Sequence, residues 1–270
     1  MNDKNFSNTD LSNTDLSNKF DGPVALVIGA GHRIGADICR HLHENGYRLI
    51  IHCNHSIDQA NQLCAELNAL RIHGAQAGDS AFVAQADIST EQGRAQLVES
   101  VLSVDGKFQG RLDVLINNAS AFYPTAVDEV TEQQWQQLFD TNLKAPFFLT
   151  QKVAAELKMQ SGSVINITDI HGDKPLAGYP VYSMSKAGLI SMTRSLAREL
   201  APEIRVNAVS PGAILWPEAE KDDHQKQQKI ISQIPLNRMG KAHNISQTVL
   251  FLLENDYLTG QVINVDGGRG

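Results

Sequence analysis

Cysteine and long apolar runs are scarce in this 270-residue sequence. Its three cysteines, Cys39, Cys53 and Cys64, form no CxxC pair and cannot all pair off. Free thiols are typical of a reducing compartment, so we predict a cytoplasmic protein. No apolar run approaches the roughly 20 residues that span a bilayer, and no apolar segment follows the N-terminal basic residues as in a signal peptide. The sequence therefore predicts neither membrane insertion nor export.

Basic charge is also scarce, with 23 Lys and Arg against 30 Asp and Glu, for a net charge of −7. A protein that follows a phosphate backbone normally carries a basic surplus, so we expect no nucleic-acid partner. Four histidines, His41, His43, His52 and His55, come close together in the sequence. They have no acidic or cysteine partner at ligand spacing, so no metal site is predicted.

With 42% hydrophobic and 20% charged residues, the chain can bury one α/β core, and nothing in it requires a second. The first twenty residues repeat NTDLS and are rich in Ser, Asn and Asp. Such a segment buries too little apolar surface to fold, so we predict a disordered tail over 1–20. Residues 21–270 are predicted to form a single cofactor-binding domain.

Apolar strand patterns alternate with amphipathic helix patterns along that domain. Continuous apolar strands separated by helices indicate a parallel sheet that is covered on both faces. We therefore predict an α/β fold of the Rossmann type, a doubly wound seven-stranded parallel sheet with helices on both faces. The predicted strands are 23–29, 47–52, 82–88, 112–119, 163–168, 204–210 and 261–267, and the predicted helices are 34–46, 57–70, 91–104, Trp135 to Met159, 181–200 and 244–254.

Two segments fall outside this alternation. Residues 71–79 are interpreted as a surface insertion before the third strand. The polar stretch from about Ala213 to Met239 has no strand pattern and is predicted to be a mobile lid over the substrate. Trp216 lies in that stretch, and its residue type fits either a pocket wall or an anchor for the lid.

A glycine-containing turn, GAGHRIG, joins the first strand to its helix. Gly29, Gly31 and Gly35 allow backbone N–H groups and the helix dipole to hold a pyrophosphate, which predicts dinucleotide binding. The alternative is a tight turn that needs glycine for backbone reasons alone. Arg33 is unusual in such a loop, and we expect its charge to contact the cofactor phosphate and the substrate.

The second strand ends in HCNHS, without the acidic residue that normally binds the adenosine ribose of NAD. This favours NADP, and His52, His55 and Ser56 are candidate donors to its 2′-phosphate. Neutral histidines without a cofactor role are an equally good interpretation. Asp87 and Ile88 end the third strand where an adenine ring would lie, although an ordinary strand end explains them as well.

The fourth strand ends in NNAS at the edge of the sheet where ligands bind in such folds. We expect Asn117 to fix the cofactor loop. Phe122 follows closely and is a candidate to stack on a flat ring, with core packing as the alternative. Asn142 interrupts a well-patterned helix, and a buried amide there needs partners. We predict that it supports a water chain to Lys186.

Tyr182 and Lys186 are four residues apart in a helical pattern and so share one face. An ammonium beside the phenol is expected to lower the pKa of Tyr182 toward the range of a general acid. Asp169 follows the fifth strand, where a carboxylate would repel a ketone oxygen that gains negative charge. It suits a substrate whose nitrogen gains a proton, which indicates reduction of C=N or of a conjugated ring.

Together these motifs resemble the short-chain dehydrogenase/reductase family from Pro23 to Gly268. The resemblance rests on the glycine turn, NNA, Asn142, YxxxK, SPG (210–212) and VDGG (265–268). Within the family the chain is similar to the pteridine reductases, which share arginine in the turn, a segment like NNASAFYP, and aspartate where the family's catalytic serine ordinarily stands. The sequence departs from the usual pattern at Ile28, ordinarily threonine, and at His55, often arginine.

The resemblance implies NADPH-dependent reduction of dihydropterins or dihydrofolate to tetrahydro forms by a homotetramer. It implies that Phe122 stacks the pterin with Ser120 and Arg33 near its polar edge, and that Tyr182 and Asp169 relay the proton. Lys186 would hold the nicotinamide ribose. Cofactor contacts would also come from Ile34, Ala119, Pro211 and Gly212.

Three other functions compete with this interpretation. A ketone or 3-oxoacyl thioester reductase of the same family would need Tyr182 and Lys186 but has no use for the Asp169 carboxylate. An NADP-binding regulator without turnover would need neither Tyr182 nor Lys186. A scaffolding role has only the N-terminal repeat in its favour.

Overall fold

The computed structural model describes residues 22–70, 80–216 and 223–270. Within them, seven strands form one parallel sheet with the order β3-β2-β1-β4-β5-β6-β7. This confirms the predicted fold class. The strands are β1 (Val24–Ile28), β2 (Arg48–Cys53), β3 (Ala81–Gln85), β4 (Val114–Asn117), β5 (Ser163–Ile167), β6 (Arg205–Pro211) and β7 (Val262–Val265).

Eight α-helices are found in the described residues, and most begin and end within a few residues of the predicted bounds. They are α1 (Arg33–Glu44), α2 (Ile57–Ala69), α3 (Glu91–Leu102), α4 (Glu132–Phe139), α5 (Ala145–Met159), α6 (Pro180–Glu199), α7 (His224–Ile231) and α8 (Ala242–Glu254). The helix predicted through Trp135 to Met159 is interrupted by a π-helical turn at Asp140–Lys144. That turn contains Asn142, the residue that broke the apolar pattern.

The sheet is covered on both sides because its side chains alternate in direction. In β1, Ala25 and Val27 pack into one core with α1, α2 and α8, whereas Val24, Leu26 and Ile28 pack into the other with α3 and α5. All five β1 side chains are essentially inaccessible to solvent. A strand that is buried on both faces has to be apolar throughout, which is why β1 reads as VALVI.

The strand order reverses direction between β1 and β4, which are neighbours in the sheet although β2 and β3 separate them in sequence. Ligands in open α/β sheets bind beyond the carboxyl ends of strands at such a switch point. The loops after β1, β4, β5 and β6 all leave the sheet at this edge. A 3₁₀ turn at Ile170–Gly172 follows β5 and was not expected from the sequence.

Several predictions fall on residues outside the described ranges, namely the tail 1–20, the insertion 71–79 and the middle of the lid, 217–222. The described part of the lid contains α7, which the sequence pattern did not reveal. No helix in the described ranges has both the length and the apolar character needed to cross a membrane.

Candidate active site

A cavity of about 610 Å³ opens at the carboxyl edge of the sheet. Its walls come from the glycine turn, the loops after β4, β5 and β6, and the start of α6. Nine of the predicted site residues line it: Arg33, Ile34, Ser120, Phe122, Asp169, Tyr182, Lys186, Pro211 and Gly212. Trp216, whose place the sequence left open, also lines this cavity.

The glycine turn is shaped so that side chains would not fit. Gly29 has φ +70°, and a Cβ there would lie 2.8 Å from the Cα atom of Ala119. A Cβ on Gly31 would meet the Ser56 side chain, and one on Gly35 would meet the Gly29 carbonyl. The backbone thus forms a bare cradle at the N-terminus of α1, which suits the pyrophosphate of a dinucleotide. The residues of the turn therefore fit a dinucleotide cofactor.

Arg33 is the first residue of α1 and also adopts a left-handed backbone conformation, with φ +56°. This conformation is uncommon for a residue with a side chain and costs conformational energy. It brings the exposed guanidinium to the cavity, where Nη2 lies 3.4 Å from the Leu215 carbonyl oxygen. Arg33 therefore reaches across the cavity to the first described part of the predicted lid.

The prediction that Asn117 fixes the cofactor loop is wrong by one residue. The Asn117 side chain is buried and donates to Asn166 Oδ1 at 2.9 Å, within the sheet. Asn118 instead donates to the carbonyl oxygens of Ile28 and Gly29, at 3.2 and 2.8 Å. Successive side chains on a strand point to opposite faces, so neighbouring asparagines at the end of β4 have different partners.

His52 is not available to a 2′-phosphate. It is 1% exposed, and both ring nitrogens are in use: Gly29 N–H donates to Nδ1 at 3.1 Å, and Nε2 donates to the Ala86 carbonyl at 3.1 Å. Burial lowers the pKa of His52 to about 4, so the ring is neutral. The alternative of a neutral histidine is therefore the correct one. Its Nδ1 atom stabilises the glycine turn by accepting the hydrogen bond from Gly29.

Of the other two candidates for the phosphate, His55 is exposed and Ser56 borders Gly31. The contacts of both residues with the 2′-phosphate remain predictions.

No group of three or more His, Cys, Asp or Glu side chains that could hold a metal ion occurs in the part of the chain that the structure describes.

At the predicted adenine end, Asp87 is exposed and its Oδ1 accepts from Ser89 N and Oγ, at 3.0 and 2.7 Å. The Ile88 side chain is 4% exposed and belongs to the core between the sheet, α3 and α5. β3 ends at Gln85, so Asp87 and Ile88 follow the third strand rather than end it. The adenine contact of these residues stays a prediction.

The catalytic candidates Asp169, Tyr182 and Lys186 lie together. The Tyr182 hydroxyl donates to Asp169 Oδ2 at 2.8 Å, and the His171 backbone N–H donates to Asp169 Oδ1 at 2.8 Å. Lys186 Nζ donates to the Ile167 carbonyl oxygen at 3.0 Å. The carboxylate is therefore held at both oxygens, as the N-cap of the 3₁₀ turn and as the acceptor from the phenol.

The expected fall in the pKa of Tyr182 is not found. Burial raises the pKa of Tyr182 well above its usual value, and the Asp169 charge and hydrogen bond raise it further, while a bond from Ser120 opposes them. Lys186 is itself buried, and desolvation lowers its pKa to about 8. Its Nζ atom lies 5.8 Å from the centre of the Tyr182 ring. In this arrangement the phenol is a protonated donor to a carboxylate.

Asn142 makes hydrogen bonds to two neighbouring segments of the chain. Its Oδ1 accepts from Ala121 N at 2.8 Å, and its Nδ2 donates to Ala121 O and Ser185 Oγ, both at 3.0 Å. Ser185 in turn donates to the Tyr182 carbonyl at 2.7 Å. The buried amide thus joins the loop after β4 to the start of α6. The water chain from Asn142 to Lys186 stays a prediction.

The cavity residues that were not assigned from the sequence as ligand contacts include Asn118, His171, Tyr179 and Arg269. Tyr179 had a usable signal, because it precedes Tyr182 by three residues and so lies on the same side of the helix start. For Asn118 the signal was the alternation of side-chain directions along β4, continued by one residue. Arg269 lies near the C-terminal end of the sequence and had no such signal, because only the tertiary fold brings it to the cavity.

Comparison with known proteins agrees with this geometry. Residues 29–269 match the family model described as enoyl-(acyl carrier protein) reductase. The chain is 37% identical to a 3-oxoacyl-[acyl-carrier-protein] reductase FabG from Staphylococcus epidermidis, covering 90% of this chain and 97% of the relative. It is also 37% identical to pteridine reductase 1 from Leishmania tarentolae, covering 91% of this chain and 96% of the relative.

Proposed function

Because this chain belongs to the short-chain dehydrogenase/reductase family, and is thus an NAD(P)H-dependent oxidoreductase, we propose that it is an NADPH-dependent pteridine reductase. Its substrates would be dihydropterins such as dihydrobiopterin or dihydromonapterin, and dihydrofolate, each reduced to the tetrahydro form. The observation that carries this proposal is the hydrogen bond from Tyr182 to the Asp169 carboxylate.

The negative charge of the Asp169 carboxylate determines which kind of substrate atom is favourable beside it. A carbonyl oxygen that receives a hydride at its carbon becomes negative and would be repelled by Asp169. A ring nitrogen that receives a proton becomes an N–H donor, for which a carboxylate is a good acceptor. Asp169 therefore favours reduction of a C=N bond in a ring over reduction of a ketone.

The chain's own residues supply the proton. Tyr182 is held protonated by burial and by Asp169, so its phenol proton is available for transfer at the cavity wall. After that transfer the phenolate lies next to Asp169, whose side chain and the open cavity provide the route for a new proton from solvent. Tyr182 is then the general acid and Asp169 the group that restores it.

The cofactor would be held by the bare backbone of the glycine turn, with Lys186 and the loop after β6 beside the nicotinamide end. When bound, NADPH supplies the hydride. Preference for NADPH over NADH is supported by the absence of an acidic side chain after β2, where His55 and Ser56 stand. Lys186 keeps its charge below about pH 8 and can donate to ribose hydroxyls there.

Reduction of 3-oxoacyl thioesters is the second candidate, supported by the identity to the FabG relatives. That reaction needs the same tyrosine and lysine. It differs in producing a hydroxyl from a carbonyl, next to which the Asp169 carboxylate is unfavourable. We therefore rank it below the pterin.

The discriminating experiment measures NADPH consumption by the purified protein with dihydrobiopterin, dihydrofolate or a 3-oxoacyl thioester, and NADH in parallel. Tyr182→Phe is the control that removes the acid and should abolish any turnover that uses this site. We expect turnover of the dihydropterin with NADPH. Turnover of the thioester alone would replace the proposal by the second candidate, and NADPH binding without turnover would indicate a regulator.

We further propose a cytoplasmic homotetramer that acts on a small pterin or folate and has no nucleic-acid or membrane partner. The free thiols, the net charge of −7 and the likeness to pteridine reductases support this. Light scattering of the purified protein measures the mass in solution. A mass of one or two chains would contradict the tetramer.

A further inference from the structure

Phe122 and Tyr179 form a stacked pair at the mouth of the cavity. Their ring centres are 4.7 Å apart and the planes differ by 9°. Phe122 also meets Tyr182 nearly at a right angle, with ring centres 4.8 Å apart and planes at 80°. Aromatic rings attract one another in both geometries because of their quadrupoles. The ring of Phe122 is therefore held by two tyrosines, one of which is the proton donor.

The backbone fixes Tyr179 in relation to the loop that carries Phe122. Thr125 N–H donates to the Gly178 carbonyl at 2.8 Å, which joins that loop to the residue before Tyr179. Gly178 has φ +80°, a backbone conformation suited to glycine, and Tyr179 is the N-cap of α6. Tyr179 is thus positioned by a tight turn on one side and by the start of the catalytic helix on the other.

Phe122 keeps 42% of its surface exposed even with these contacts, and it lines the cavity. A large apolar ring that is left open beside Tyr182 is suited to a flat ligand. The Tyr179 hydroxyl makes no hydrogen bond to the described residues, so the ring alone accounts for its contact with Phe122. Tyr179 therefore contributes shape and stacking to this wall.

We propose that Tyr179 is a positioning and specificity-determining residue, which supports Phe122 from one face so that its exposed surface accepts a flat heteroaromatic ring next to Tyr182. This inference rests on the proposed function and deepens it. Without the Tyr179 ring, Phe122 would keep only its edge-to-face contact with Tyr182 and would be less firmly aligned with the proton donor. An acyl chain has no flat ring to align, so its reduction should depend little on Tyr179.

The test compares Tyr179→Leu, which removes the ring, with Tyr179→Phe, which keeps it and removes only the hydroxyl. Tyr257→Leu is the matched control, since Tyr257 is 95% exposed and away from the cavity. For each protein, KM and kcat are measured with dihydrobiopterin and with a 3-oxoacyl thioester, and NADPH affinity is measured by its fluorescence. Tyr179→Met also lacks a ring but has an unbranched, more adaptable side chain, and it replaces Tyr179→Leu if that variant does not fold.

We expect Tyr179→Leu to raise the KM for dihydrobiopterin about tenfold, the size of one lost ring stack, with NADPH affinity unchanged. Tyr179→Phe should stay within about twofold of the original protein, because the stack remains. An unchanged KM in Tyr179→Leu, or an equal loss in Tyr179→Phe, would overturn the inference alone. If the original protein neither binds nor reduces the dihydropterin, the proposed function fails and takes the inference with it.

Discussion

The Tyr182 hydroxyl donates a 2.8 Å hydrogen bond to Asp169 Oδ2, so the general acid candidate and a carboxylate form one unit. Burial and this carboxylate both raise the pKa of Tyr182. The pair explains why the chain can carry an aspartate at the end of β5. It keeps a proton on the phenol until a basic nitrogen accepts it.

Replacing Asp169 by Ser should lower kcat/KM for dihydrobiopterin by about 10² to 10⁴, the usual contribution of a positioned acid or base. NADPH affinity should change little, because the glycine turn lies on another loop. Steady-state rates and NADPH fluorescence measure the two effects separately. Asp173→Ser is the control, since it removes an exposed carboxylate four residues away that does not line the cavity. Equal losses in rate and NADPH affinity would contradict the role of Asp169.

Asn117, the last residue of β4, and Asn118, which follows it, should respond differently to alanine. Asn118→Ala removes two bonds to the carbonyls of the glycine turn and should raise the KM for NADPH several-fold, on the order of one hydrogen bond's free energy. Asn117→Ala leaves Asn166 without its donor inside the sheet and should cost about 1–3 kcal/mol of folding free energy. Urea denaturation and cofactor kinetics distinguish the two variants. The reverse pattern would restore the original expectation for Asn117.

Gly29 and Gly260 offer a matched comparison, because their φ values are +70° and +72°. Alanine at either position has to adopt a left-handed backbone conformation, which costs about 1–2 kcal/mol. Only at Gly29 does the new Cβ lie 2.8 Å from backbone, whereas at Gly260 the nearest atom is at 3.4 Å. Gly29→Ala should therefore lose NADPH affinity by more than about tenfold, and Gly260→Ala should keep it. Titration of NADPH fluorescence tests both, and equal affinities would show that the cradle is not needed.

The parts that the sequence predicted well depend on local patterns. β1 is apolar at every position because it is buried on both faces, and helices between such strands fix a parallel sheet. Tyr182 and Lys186 share a helical face because of their spacing alone. The glycine turn was visible since only glycine fits its backbone.

The parts that were missed depend on tertiary contacts. The pKa of Tyr182 is set by burial, which no spacing rule reports. Whether Asn117 or Asn118 faces the turn depends on a one-residue register, and the partners of Asn142 come from a loop and from α6. The stack of Tyr179 on Phe122 was not predicted, because the two residues lie 57 positions apart in the sequence.

His52 makes the folding free energy depend on pH. Its folded pKa is about 4, below the reference of about 6.5, so the unfolded chain binds a proton first as the pH falls. Stability is therefore fully present above about pH 6.5 and decreases toward pH 4, by up to about 3 kcal/mol from this residue. His52→Gln retains an acceptor for Gly29 and a donor for Ala86 but does not titrate, so the loss between these pH values should become smaller. Urea denaturation across that pH range tests this prediction, with His55→Gln, a change at an exposed histidine, as the control.

If His52→Gln and the original protein lose stability in parallel, the buried neutral histidine is not the cause. Other groups that titrate in this range would then have to account for the loss.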